Sequence, residues 1–186
     1  MKQGQVRKIV ITGMLTALAV VLMQIQIPFL TPYLRLDVSD TPALIGTFIL
    51  GPVAGVTITF LKNLIDFSFN ASETGIPIGH IANFAAALLL ILPTYYIYQF
   101  KKTFKQLVIA GIIGILVTTT FMALLNYFYF LPLYAKFLGL DPNRFGDLMK
   151  EIVKFILPFN LVKGALQISV ICLIYPRIEK LIKRKS

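Results

Sequence analysis

Lys163 stands three residues after Asn160 in an apolar stretch, so an ammonium and a carboxamide lie one turn apart on one helix face, where both can address a single ligand. No acid sits at helical spacing from Lys163 within its own stretch. A lysine beyond snorkelling reach in lipid needs an anion, a group of carbonyls or a bound ligand. Asn83 and Asn126 are the other amides deep in apolar runs. At about 1.5 Å per residue both lie roughly 6 to 8 Å below the outer boundary of their spans. Four polar side chains from three spans are thus expected at similar depth, beneath an outer loop carrying Arg35, Asp37, Asp40 and Thr41. That is the layout of a pocket open to the outside. The plainer reading of the amides is that they join helices.

Other polar groups point away from catalysis. Lys62 and Asp66 are four residues apart, the spacing of an intrahelical ion pair that makes each tolerable near lipid. His80 is the only histidine and has no histidine partner for a metal; it suits a capping or packing role. Ser, His and Asp form no nucleophile motif, and no Gly-Lys-Ser/Thr loop is present to hydrolyse ATP. Cys172 is the lone cysteine, so neither an intramolecular disulfide nor metal-ligand spacing arises; it is expected as lipid-facing or packed filler.

The elements that must hold these groups are membrane helices. Of 186 residues, 57% are hydrophobic and 14% charged, which suits lipid better than water as the surrounding solvent. At about 20 residues per pass, the chain has room for roughly six spans in one domain. The expected fold is an all-α, six-transmembrane-helix bundle, with spans at about 9–27, 43–51, 53–69, 79–98, 107–131 and 148–175. The first is read as retained rather than cleaved, since no small-residue cleavage site precedes Pro28. Pro28 to Pro42 is expected as a proline-punctuated outer loop, and Gly51-Pro52 as the break between spans 2 and 3. Asn70 to Pro77 reads as a polar turn, and Tyr134 to Asp147 as an outer connection with turn signals at Gly139, Asp141-Pro142 and Gly146.

Net charge is +10, but the basic residues lie at the ends of apolar runs, unlike a nucleic-acid surface. Lys2, Arg7 and Lys8, then Lys101, Lys102 and Lys105, then Arg177, Lys180, Lys183, Arg184 and Lys185 mark both termini and the central connection. The positive-inside rule places all three segments in the cytoplasm of a multi-pass cell-membrane protein. Tyr95, Tyr96 and Tyr98 form an interfacial belt beside the central connection, whereas Tyr33, Tyr127 and Tyr129 fall in outer segments where a flat heterocycle can stack. In span 1, Gly13 and Ala17, with Thr16 alongside, make a small-residue face for close helix approach, either within the bundle or to a partner.

The run Leu36-Asp37-Val38-Ser39-Asp40-Thr41-Pro42-Ala43, the Gly51-Pro52 break, Lys62-Asn63, the block Gly75 to Phe84, and Asn160-Leu161-Val162-Lys163-Gly164 together resemble the S components of energy-coupling factor (ECF) vitamin transporters, riboflavin-specific type. The resemblance runs essentially end to end. It implies a bundle that binds one riboflavin from outside, through Leu36, Asp40, Thr41, Gly79, Asn83, Asn126, Tyr127, Asn160 and Lys163. It also implies partnership with a transmembrane scaffold subunit, docked on Gly13, Thr16 and Ala17, and with two ABC ATPase subunits. This chain has Gly13 where an alanine is usual, which still permits close approach. Carboxamides and Lys163 match the acceptors and the N–H of an isoalloxazine edge, while Asp40 and Thr41 suit ribityl hydroxyls. No catalytic residue, metal or cofactor is implied. The alternatives are an S component for another vitamin such as thiamin, biotin or folate, a membrane-embedded enzyme, and a non-transporting assembly subunit.

Overall fold

A computed structural model describes residues 3–70, 76–137 and 148–183. The turn residues 71–75, and with them part of the expected Asn70 to Pro77 turn, lie outside the described residues, as do Gly139, Asp141, Pro142 and Gly146 of the outer connection.

Among the described residues the helices form six rods, with one small hairpin. Helix α1 (Gln3–Gln24) leads into strands β1 (Ile27–Phe29) and β2 (Thr31–Leu36), followed by α2 (Thr41–Leu50), α3 (Pro52–Phe69) and α4 (Ile78–Tyr98). The fifth rod joins α5 (Phe104–Leu125) to α6 (Leu131–Phe137), and the sixth joins α7 (Leu148–Glu151) to α8 (Leu157–Lys183). Among the described residues four helices are long and apolar enough to cross a membrane: Gly4–Gln24, Ile78–Tyr98, Phe104–Phe137 and Leu148–Glu179. Helix α2 has only 10 residues, and α3 carries Lys62 and Asp66.

The expected loop after span 1 is in part a β-ribbon. β1 and β2 pair antiparallel, with Ile27 opposite Leu36 and Pro28 opposite Arg35, and the register shifts between Pro28 and Phe29. The turn residue Leu30 takes φ 63. Prolines sit comfortably on so short a ribbon because both strands are edges and need few ladder donors. A second difference lies at Tyr134, expected in a connection but held in α6, whose helix continues to Phe137.

Short α2 is the hub. It packs against α1, α3, α4 and α8, and seven of its residues, Thr41 to Leu44 and Gly46 to Phe48, are buried. Its end requires glycine: Gly51 adopts φ 102 and ψ 170, a region closed to side chains, and its N–H donates to Thr47 O at 2.9 Å. Pro52 then opens α3, where a missing N–H costs nothing. The hairpin of α2 and α3 closes tightly because Gly55 has no Cβ to strike Thr47. The main core joins Ala43, Leu44, Phe48, Ile58, Leu90, Ile91, Ile168 and Ile171. At the basic end, Tyr98 Oη lies 3.0 Å from Tyr175 Oη, and Thr103 caps α5 by accepting from Gln106 N at 3.2 Å.

The fifth and sixth rods widen at corresponding places. A π-helical turn occupies Asn126–Phe130 and another Ile152–Ile156, with Leu131 N bonding Asn126 O and Leu157 N bonding Ile152 O. Each is followed directly by Leu-Pro: Leu131-Pro132 and Leu157-Pro158. Proline offers no N–H and its ring collides with the carbonyl four residues back, so the preceding turn opens by one residue. The two widened turns pack against each other.

Candidate functional site

The most polar part of the interior lies where the segment between β2 and α2 meets α3 and α8. Asp37, Ser39 and Asp40 come from that segment, Lys62 from α3, and Lys163 and Gln167 from α8; all six are at most 8% exposed. Lys62 Nζ donates to Ser39 Oγ at 2.6 Å and pairs with Asp40 Oδ1. Lys163 Nζ donates to Asp37 Oδ2 at 3.0 Å and lies 4.0 Å from Asp40 Oδ2. Gln167 Nε2 donates to Asp40 Oδ2 at 2.8 Å. Asp37 Oδ1 accepts from the Ser39 N–H at 2.8 Å and from the Ser39 hydroxyl. Burial acts to raise the Asp37 pKa, but the ammonium of Lys163, then that of Lys62, and the bond from Ser39 outweigh it and bring it to about 2.

The expected pair of Lys62 with Asp66 is not formed. Lys62 turns to Asp40, which the start of α2 sets against it, and Asp66 is satisfied elsewhere. Asp66 Oδ1 accepts from Gln24 Nε2 at 2.7 Å and Asn70 Nδ2 at 2.9 Å, and Oδ2 lies 2.9 Å from His80 Nε2. His80 therefore ties α4 to α3 through a carboxylate, with its ring edge-on to Phe67 at 5.5 Å, and caps no helix end. Lys163, which has no acid at helical spacing in its own helix, takes Asp37 from the segment before α2 instead.

Asn126 begins the first widened turn and Asn160 follows the second; they are 9% and 5% exposed. Their amide nitrogens donate to Met122 O and Ile156 O, each at 2.8 Å. Asn83 on α4 is half-buried, and its side-chain oxygen is enclosed without a hydrogen-bond partner. Thr41 Oγ1, at the first position of α2, is buried in the same condition, as are Thr119 Oγ1 on α5 and Gln167 Oε1 on α8. Enclosed acceptors without partners are costly in a folded chain and mark places where a polar ligand gains most. Phe159 lies beside Lys163, with Nζ 6.0 Å from the ring centre, and faces Phe29 of the ribbon at 6.4 Å.

The remaining expected positions are more scattered. Leu36, half-buried, ends β2. Gly79 is exposed, and a Cβ there would come within 2.9 Å of Tyr134 Oη. Tyr127 is 36% exposed and stacks edge-on with Phe128 at 4.9 Å, and Tyr129 is 68% exposed. On α1, Gly13 and Ala17 are exposed, with nothing within 4 Å of a Cβ built on Gly13. Thr16 is turned inward, bonded to Thr12 O at 2.8 Å, so it is not part of that open face.

Asp37, Lys62 and Gln167 are additions to the residues expected from sequence. Gln167 had a signal, since it lies four residues after Lys163 and shares its face. Lys62 had none, because Asp66 four residues on offers it a partner within its own helix. Among the described residues no group of three or more His, Cys, Asp or Glu is placed to hold a metal.

Residues 7–175 match the family described as ECF transporter, substrate-specific component. The riboflavin transporter FmnP of Bacillus subtilis is 36% identical over 97% of this chain and 96% of its own length. The riboflavin transporter RibU of Staphylococcus aureus is 41% identical over 97% of this chain and 94% of its own length. A solved S component of a bacterial ECF transporter superposes with a TM-score of 0.80 at 39% identity, covering 96% of this chain and 99% of that one.

Proposed function

The chain belongs to the substrate-specific components of ECF transporters and is not an enzyme, and from that premise we propose that it captures riboflavin for import. The observation that carries the reading is the set of enclosed polar groups on different elements: Asn126 and Asn160 beside the widened turns, Lys163, and the partnerless oxygens of Asn83 and Thr41. A riboflavin ring edge alternates acceptors with one N–H. Carboxamides whose nitrogens are committed to the backbone offer their oxygens to that N–H, and Lys163 supplies a donor. The ribityl hydroxyls run toward Asp40 and Thr41. Phe29 and Phe159 add aromatic surface for a planar ligand.

In this reading the rods all cross the membrane, both termini are cytoplasmic, and the site opens outward beneath the ribbon. No nucleotide-binding motif is present in the chain, so energy comes from partners: a transmembrane scaffold and two ABC ATPase subunits. The exposed Gly13–Ala17 face of α1 is smooth enough for a scaffold helix to approach closely.

Flavin fluorescence tests the assignment. The purified chain in detergent is titrated with riboflavin, and wild type is compared with Lys163→Ala and Asn83→Ala. Saturable quenching at one riboflavin per chain, weakened about 10-fold or more by either substitution, is expected. Absence of quenching by wild type rejects riboflavin and leaves an S component for another vitamin.

A further inference from the structure

Where α4 turns into α5, the surface mixes large rings with cations. Phe100 is 80% exposed, Tyr96 58% and Phe104 49%, and Lys101 and Lys105 stand exposed among them. Arg177, exposed on α8, adds a third cation, and Glu179 is the one acid in the sequence at this end of the bundle. Among the described residues neither lysine nor Arg177 has an ion-pair partner. Rings of this size prefer to leave water, and ammonium groups stay out of hydrocarbon. Both conditions are met together in the headgroup layer of a membrane.

The turn is held by the core behind it. Lys102 takes φ 48, its N–H donates to Tyr98 O at 3.0 Å, and its carbonyl accepts from Tyr175 Oη at 3.4 Å. Gln106 Nε2 donates to Ile97 O at 2.9 Å, and the Phe104 ring lies 5.7 Å from that of Tyr175. Tyr98 and Tyr175 are buried, so the turn is tied to α8 from inside the bundle. Lys101 and Lys105 therefore project from a fixed backbone, and binding through them requires no ordering of the turn.

We propose that the α4–α5 turn is a binding site for anionic phospholipid. Lys101 and Lys105 hold the headgroup phosphate, Phe100 and Phe104 enter the acyl region beside it, and Arg177 strengthens the positive field. Two observations favour lipid over an acidic protein surface. Both helices that the turn joins are long and apolar enough to cross a membrane, which sets the turn at the membrane boundary. The turn also belongs to the side of the bundle where α4, α5 and α8 pack together, whereas the face proposed for the scaffold is on α1, which packs chiefly against α2 and α3. The inference needs the rods to span the membrane and is independent of which vitamin the chain carries. A lipid held there fixes this end of the bundle at headgroup level.

Native mass spectrometry of the full chain in non-ionic detergent tests the site, with phosphatidylglycerol and phosphatidylcholine of identical acyl chains as probes. Phosphatidylcholine carries the same phosphate but offsets its charge with choline. Phosphatidylglycerol is expected to bind at least about 10-fold more tightly, and Lys101→Gln with Lys105→Gln to weaken it about 10-fold or more. Arg7→Gln with Lys8→Gln removes the same charge from α1 and is expected to leave phosphatidylglycerol binding within about 2-fold. Excess inorganic phosphate is expected to leave the lipid bound. Equal binding of the two lipids overturns the proposal. An equal loss from the Arg7 and Lys8 pair also does, because total charge and not this turn is then responsible. Displacement by inorganic phosphate overturns it too, since the acyl chains then play no part. Unchanged lipid binding by the lysine variant, with loss of co-purification with a scaffold subunit, assigns the surface to a protein instead. An unaltered Tm shows that each variant is folded; should the double lysine variant fail to fold, Lys105→Gln alone, with an expected loss of about 3-fold or more, decides in its place.

Discussion

Asp37 and Lys163 are 126 residues apart in the chain and 3.0 Å apart in space, so the loop before α2 is fastened to the last helix by a buried ion pair. That contact, with Lys62 to Asp40 beside it, fastens the segment before α2 to α8 and α3, alongside the apolar packing of Leu34 with Leu131, Ile152 and Ile156.

Acid should loosen this fastening over a defined range. The folded pKa of Asp37 lies at about 2 against 3.8 for the free group, so its contribution is fully present above about pH 4 and is lost as pH falls through that interval. Thermal unfolding of the detergent-solubilised protein between pH 5 and about 2 is expected to show a fall in Tm that is smaller in Asp37→Asn. Equal slopes for the two proteins would show that Asp37 is not tied as described.

Lys62 and Asp40 form a pair in which removal of one partner strands the other. Lys62→Met is expected to cost about 3–5 kcal/mol, and Lys62→Met with Asp40→Asn distinctly less than the sum of the single changes. A double-mutant cycle on unfolding measures this coupling. Simple additivity would contradict the contact, and a strong cycle between Lys62 and Asp66 would restore the intrahelical pair.

Gly51 holds a backbone conformation closed to other residues. Gly51→Ala should lower stability by about 1–3 kcal/mol and leave the riboflavin Kd within about 2-fold, because the strain falls at the α2–α3 break. Unfolding and flavin titration on the same preparation separate the two effects.

Pro158 keeps the turn before Asn160 widened. Pro158→Ala permits ordinary helical bonding, which rotates the segment outside it relative to Asn160 and Lys163. Riboflavin binding is expected to weaken about 10-fold with little loss of Tm, since the helix gains a backbone bond. A large drop in Tm with unchanged binding would run against this.

Bulk on the open face of α1 should separate capture from transport. Gly13→Leu is expected to bind riboflavin like wild type in detergent, yet to lose co-purification with a scaffold subunit and riboflavin uptake in cells. Normal uptake by that variant would move docking to another face.

Much of the bundle was readable because its signals are local. Pro28 and Gly51-Pro52 punctuate apolar runs, and backbone rules make such punctuation hard to misread. What escaped depends on partners distant in sequence. Lys62 has an acid four residues on, yet finds a better one at Asp40, which only the placement of α2 brings near. Asp66 is likewise settled by Gln24 and His80, from two other helices. The short ribbon of Ile27 to Leu36 escaped for another reason: its prolines argue against strand, and only an edge pairing tolerates them. The Leu-Pro steps after both widened turns are a local signal for them, written in the sequence itself. At the candidate site, Asn160 and Lys163 were evident from spacing, whereas the pairing of Asp37 with Lys163 emerges only once the loop is folded back onto α8.

The ion pair between Asp37 and Lys163 also has a bearing on how the protein is made. At about 5–20 residues per second, a ribosome delivers the lysine roughly 6 to 25 s after the aspartate. Through that interval Lys62 can already neutralise Asp40, but Asp37 has Ser39 and no ammonium at hydrogen-bond distance. A chain truncated before α8 therefore holds Asp37 through Ser39 but lacks its ammonium partner, and the loop before α2 stays unfastened until the last helix arrives.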